Sequence, residues 1–244
     1  MKTKNLFATG IALVSFGFSA LATNYAGNGN SGFGGAVGGG SLTLTDDGTT
    51  LFGTVTKGSG DFNDALVIYI DSVGGGFSDT SGFADVNDGL RKSISGFDGG
   101  NRSTLTFGAG FLPDFAIALK PTSFENFGGL WSLANGGNNS LNFISSVGLT
   151  PTVNNNAATY TFGLSLASLG ITPGQSFKLF GTYISVGGYR SDEALAGNAT
   201  GTQGWNAFTQ TSFGTYTVAP VPEPTTLALA GSGLALLYVL RRRR

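Results

Sequence analysis

The sequence predicts an all-β fold, an antiparallel β-sandwich, framed by an N-terminal signal peptide and one C-terminal transmembrane helix. Three observations point there. Short apolar or alternating runs recur through the middle of the chain with Gly and Asn turns between them, and the 41 glycines among 244 residues supply those turns. No long stretch of the middle carries the 3.6-residue apolar period of a helix, so the crossover helices that parallel strands need are missing. Each end holds one apolar stretch flanked by basic residues.

Residues 1–22 open with Lys2 and Lys4, continue through an apolar run at 6–18 and finish on Ala20-Leu21-Ala22. That three-part layout is a secretory signal peptide with its cut after Ala22, so signal peptidase is a predicted processing partner. Residues 23–40 are rich in Gly, Asn and Ser and read as a flexible lead-in to the folded domain. Within them Gly27-Asn28-Gly29-Asn30-Ser31-Gly32 spells a dinucleotide-loop pattern, but no strand pattern precedes it and no helix pattern follows, so the context denies a nucleotide site.

The domain itself is assigned to 41–219. Candidate strands fall at 42–45, 51–56, 65–71, 103–107, 115–120, 130–134, 141–147, 158–166, 176–185 and 213–218. The alternation Thr159-Tyr160-Thr161-Phe162-Gly163-Leu164 is that of a half-buried strand. The continuous run Ala65-Leu66-Val67-Ile68-Tyr69-Ile70 is that of a central strand buried on both faces. Residues 165–170 suit one short helical turn before Pro173.

Composition restricts the chemistry. With no His and no Cys there is no imidazole base, no thiolate nucleophile, no zinc site of the usual ligands and no disulfide. Setting aside the two ends leaves seven basic and thirteen acidic residues in the body, the wrong sign for binding nucleic acid. A glycosidase would need a carboxylate pair, yet the body has only Glu125 and Glu193 as glutamates, and Asp192-Glu193 beside Arg190 reads as a solvated charge cluster. No catalytic residue or cofactor is therefore assigned. Asp85, Asn87 and Asp88, next to Gly89, offer hard oxygens of the kind calcium takes, and are the candidate site for a structural ion. Trp131, Trp205 and Tyr189 are candidate sugar contacts, because aromatic faces stack on sugar rings while Asn135, Asn138, Asn139, Gln203 and Asn206 lie near in sequence to give hydrogen bonds.

The last segment, 220–244, has three parts: Pro222-Glu223-Pro224, an apolar run over 225–240, and Arg241, Arg242, Arg243 and Arg244. The prolines hold the first part extended. The run reaches about 24 Å as a helix, a little short of the hydrocarbon core, with the arginines snorkelling on the cytoplasmic side. In these residues the segment resembles a PEP-CTERM sorting signal of exported Gram-negative bacterial proteins. The resemblance implies recognition of Glu223 and its neighbouring prolines by an exosortase, passage through an inner-membrane-anchored precursor, and delivery to the cell envelope surface or extracellular matrix, in the company of exopolysaccharide and biofilm. In the body, 65–76, 110–117 and 189–193 resemble parts of the jelly-roll-like DOMON and family 9 carbohydrate-binding sandwiches. What the two resemblances imply together is a secreted, non-enzymatic surface or matrix protein. A discrete sugar-binding groove and a carboxylate-based glycoside hydrolase are the alternatives.

Overall fold

The residues that alternate along each strand decide which layer of the molecule it joins. The computed structural model describes residues 22–122, 126–133, 141–220 and 241. In chain order its first strands are β1 (Thr23–Ala26), β2 (Ser41–Asp46), β3 (Thr50–Thr56), β4 (Ala65–Asp71), β5 (Leu105–Thr106), β6 (Phe115–Lys120) and β7 (Phe127–Ser132). They are followed by β8 (Asn142–Ser146), β9 (Thr159–Ser165), β10 (Ser176–Ile184), β11 (Arg190–Leu195), β12 (Gly197–Thr200) and β13 (Phe208–Thr217). One short helix, α1 (Gly89–Ser95), lies between β4 and β5, and a single 3₁₀ turn covers Leu166–Leu169.

The strands make two sheets. The smaller has four, in the order β1-β2-β3-β9. The larger has nine, with the path β12-β13-β10-β4-β6-β7-β8 and with β11 on β10 and β5 on β13. All pairings between these strands are antiparallel except the two-residue contact of β5 with β13. β4 lies in the middle of the long path with six consecutive buried residues, as its apolar run predicts.

The inward rows of the two sheets meet in one core. Leu42, Leu51, Val55 and Phe162 of the small sheet pack against Ile68, Ile117, Leu130 and Leu179 of the large one. Each such side chain, once buried, contributes about 1.5–3 kcal/mol. Gly53 is required in this layer, because a Cβ there would overlap the Phe162 ring. The opposite face of the large sheet is covered too. Val67, Tyr69, Ala116, Ala118, Trp131 and Phe180 face a second core that α1 closes with Leu90 and Ile94. The chain is thus an all-β sandwich with a third, irregular layer over one face of its larger sheet.

Two expectations are corrected. Residues 23–40 are not a flexible lead-in: β1 pairs with β2 over all four of its residues, and Ala36 and Val37 are buried. The charged run at 190–193 is not solvated but forms part of β11, with both Arg190 and Glu193 at most 1% exposed. Asp88, a candidate ion ligand, is the N-cap of α1, where its side chain accepts the backbone N–H of Arg91. The 3₁₀ turn lies where one helical turn was expected and ends at Gly170 in the left-handed conformation. No helix among the described residues is long and apolar enough to cross a membrane. The expected signal peptide over 1–22, except Ala22, and the span at 225–240 lie outside those residues.

Candidate functional site

Beside α1, near the edge of the large sheet, three aromatic rings line a hollow. Phe127 and Trp131 lie four residues apart on β7 and so project from the same face, while Phe143 of the edge strand β8 pairs with Trp131. Between them Gly129 leaves room for both rings; a Cβ at that position would come within 2.7 Å of the Trp131 ring and 2.8 Å of Phe127. Trp131 and Phe143 meet at 5.5 Å with their planes at 64°, and Phe127 lies 6.0 Å from Phe143. These separations are those of favourable edge and offset contacts.

The polar wall comes from α1. The Arg91 guanidinium is 5.8 Å from the centre of the Trp131 ring and bonds at 3.2 Å through Nε to Asp85 Oδ2. Its Nη1 pairs with Asp88. Asp85 is buried and its two oxygens also accept the N–H groups of Asn87 and Leu141, both at 3.1 Å. The hollow has a volume of about 370 Å³ and is lined by Asp88, Leu90, Arg91, Phe127, Trp131 and Phe143. That size is within the range of small-ligand pockets, and the mix of an apolar floor with a few convergent polar groups is their usual chemistry. Phe127 and Phe143 are 37% and 42% exposed, whereas Trp131 is 2% exposed, so the phenyl rings form the accessible surface and the indole its floor. The Trp131 Nε1 atom is buried with no hydrogen-bond partner among the described residues.

Of the residues singled out in the sequence, Trp131 lines this hollow but Tyr189 and Trp205 do not. Those two make a separate group: Trp205 meets Tyr189 edge-on at 5.7 Å, and Tyr189 stacks at 6.0 Å on Phe33 from the Gly-rich segment. Tyr189 lies immediately before β11 and Trp205 in the loop before β13, across the sheet from β7. Phe127, Phe143, Leu90 and Arg91 were not identified from the sequence. The spacing Phe127-x-Gly129-x-Trp131, two rings on one strand face with a glycine between, was the available signal.

Asp85 and Asp88 serve Arg91 and the start of α1, Asn87 donates its backbone N–H to Asp85, and among the described residues no group of three or more His, Cys, Asp or Glu side chains is placed to hold a metal ion. Glu193 is likewise engaged. Its Oε1 accepts the N–H of Phe33 at 2.6 Å and of Gly35 at 3.1 Å, and its Oε2 those of Val37 at 2.9 Å and Gly38 at 3.0 Å. Glu125, Asn135, Asn138 and Asn139 lie outside the described residues.

No curated protein matches the chain. The segment beyond the sandwich does find its family, and the order of its parts agrees with the match. Residues 220–244 are a PEP-CTERM protein-sorting motif, and the chain is accordingly an exported protein, sorted to the cell envelope as an exosortase substrate.

Proposed function

We propose that this protein is a non-enzymatic component of the cell surface or extracellular matrix and that its sandwich binds polysaccharide at the hollow beside α1. The observation that carries the reading is the exposed pair Phe127 and Phe143 over the Trp131 floor, with the Asp88 and Arg91 groups at its rim. A sugar ring presents one apolar face and a belt of hydroxyls. Aromatic rings cover the first and the ionic pair hydrogen-bonds the second. Sorting to the cell envelope supports the reading, because polysaccharides are a common class of ligand at the outside of a cell. A hydrolytic reading would need two free carboxylates 5–9 Å apart across one bond. Here Asp85 and Asp88 are turned to Arg91 and to backbone N–H groups, which favours binding without turnover.

The test is binding of the purified protein to exopolysaccharide from the producing organism, with Phe143→Ala and Trp205→Ala compared. Loss of binding only in Phe143→Ala, with unchanged unfolding, supports the hollow. Loss only in Trp205→Ala would move the site to the Tyr189 group, and no binding by the parent protein rejects the reading. Trp131→Ala is unsuitable, because removing a buried indole costs about 3–5 kcal/mol of stability and would confuse the two effects.

A further inference from the structure

The outer face of the four-stranded sheet carries no charge at all. Going across the strands, one row of paired residues is Asn24, Thr43, Thr54 and Thr161, and it continues through an isolated bridge to Thr150. The next row is Ala26, Ser41, Thr56 and Thr159. On β2, β3 and β9 these side chains alternate with buried core residues, and on β1 with partly buried ones, so the strand residues of both rows face away from the sandwich. Neighbouring strands lie about 4.8 Å apart and alternate residues of one strand about 6.8 Å apart, so the hydroxyls form a repeating array.

Strand preference accounts for Thr but not for the rest. An outer sheet face in water normally mixes Lys and Glu with its hydroxyl residues, and the body of this protein does carry thirteen acidic and seven basic residues elsewhere. The hydroxyls of Thr45, Thr54, Thr56 and Thr159 have no hydrogen-bond partner among the described residues, which leaves them free to bond outward. Within the array lies one large apolar group. Phe52 is 46% exposed, paired with Thr45 on one side and with Gly163 on the other. Because Gly163 has no side chain, the phenyl ring stands open on that flank, with a Cβ at Gly163 only 3.5 Å from Phe52 Cδ1. A phenyl ring standing open among hydroxyls offers an apolar surface on which the face of a pyranose ring can stack.

We infer that this face is a second binding surface, whose ligand is a neutral, hydroxyl-rich polysaccharide chain: the chain's rings stack on Phe52 and its hydroxyls bond to the threonine rows. The inference rests on the polysaccharide reading above but assigns it to a different face. Charge selects the ligand class, since a face without cations gives an anionic polymer nothing to pair with. Twist selects its form, because each strand is rotated by roughly 20–25° from the last, which a flexible chain follows and a flat crystalline surface does not.

The experiment uses the full chain in mild detergent, with dextran as the neutral probe and alginate as the anionic one. Three variants are compared with the parent: Thr54→Lys/Thr161→Lys, Phe52→Ala and the isosteric Thr161→Val. The expected result is dextran binding stronger than alginate binding, weakened at least about tenfold by the double lysine variant and by Phe52→Ala and to a smaller degree by Thr161→Val. The isosteric variant and an unfolding curve for each protein keep misfolding from imitating the result. If dextran binding survives all three variants but is lost in Phe143→Ala, the inference fails while the hollow stands. If neither polymer binds the parent, the inference fails, and the hollow is decided by the exopolysaccharide experiment alone. If the variants alter sedimentation instead of dextran binding, the face joins two copies of this chain and the inference is overturned.

Discussion

Glu193 holds two segments of the chain together. Its buried carboxylate takes four backbone N–H groups from the Gly-rich segment, and each such charged hydrogen bond is stronger than a neutral one. Glu193→Gln keeps the shape but turns one oxygen into an NH₂ that confronts two donors. The expected outcome is a loss of about 2–4 kcal/mol, read from urea unfolding with an unchanged slope. Asp79 makes a different statement. The Ser81 hydroxyl and then the Ser81 backbone N–H hold its carboxyl below its ordinary value of 3.8. A carboxyl with a depressed folded pKa stabilises the fold above the unfolded value and loses that contribution as pH falls through the folded one. Asp79→Asn is therefore expected to flatten the loss of stability below about pH 3.8. A pH series of melting temperatures in which both proteins decline in parallel would contradict this.

Among the elements, α1 connects the fold to the hollow. Asp88 caps it and also pairs with Arg91, so Asp88→Ala removes the cap and one partner of the guanidinium together. A destabilisation of about 1 kcal/mol is expected, along with weaker exopolysaccharide binding; unchanged binding would show that the polar wall takes no part. α1 was not legible in advance. It has only seven residues, and its single strong signal, Asp88 before Gly89, was assigned to an ion instead. β4 and β9 were legible because their apolar patterns have one interpretation each. β11 was not, since Arg-Ser-Asp-Glu resembles no strand, and only the distant Gly-rich segment makes its burial favourable. The hollow was half legible. Trp131 is conspicuous in any sequence, but Phe127 and Phe143 become partners only once β7 and β8 are paired in register.

At the scale of the whole molecule, the Gly-rich segment over 23–40 is not separable from the sandwich. Deleting 23–40 would strip β1 from its sheet and leave the Glu193 carboxylate buried without donors, so the shortened protein is expected not to fold cooperatively, as seen by the loss of a sharp unfolding transition. A truncated chain that melts as sharply as the parent would refute this. The same bond has a consequence for the order of events during export. A protein threaded through a membrane channel delivers its N-terminal residues first, yet Phe33 waits for a partner 160 positions later. Until β11 emerges, the glycine segment has no Glu193 carboxylate to gather around. Translocation must therefore be nearly finished before the sandwich can lock, which leaves a long unpaired nascent stretch in need of chaperoning on the far side of the membrane.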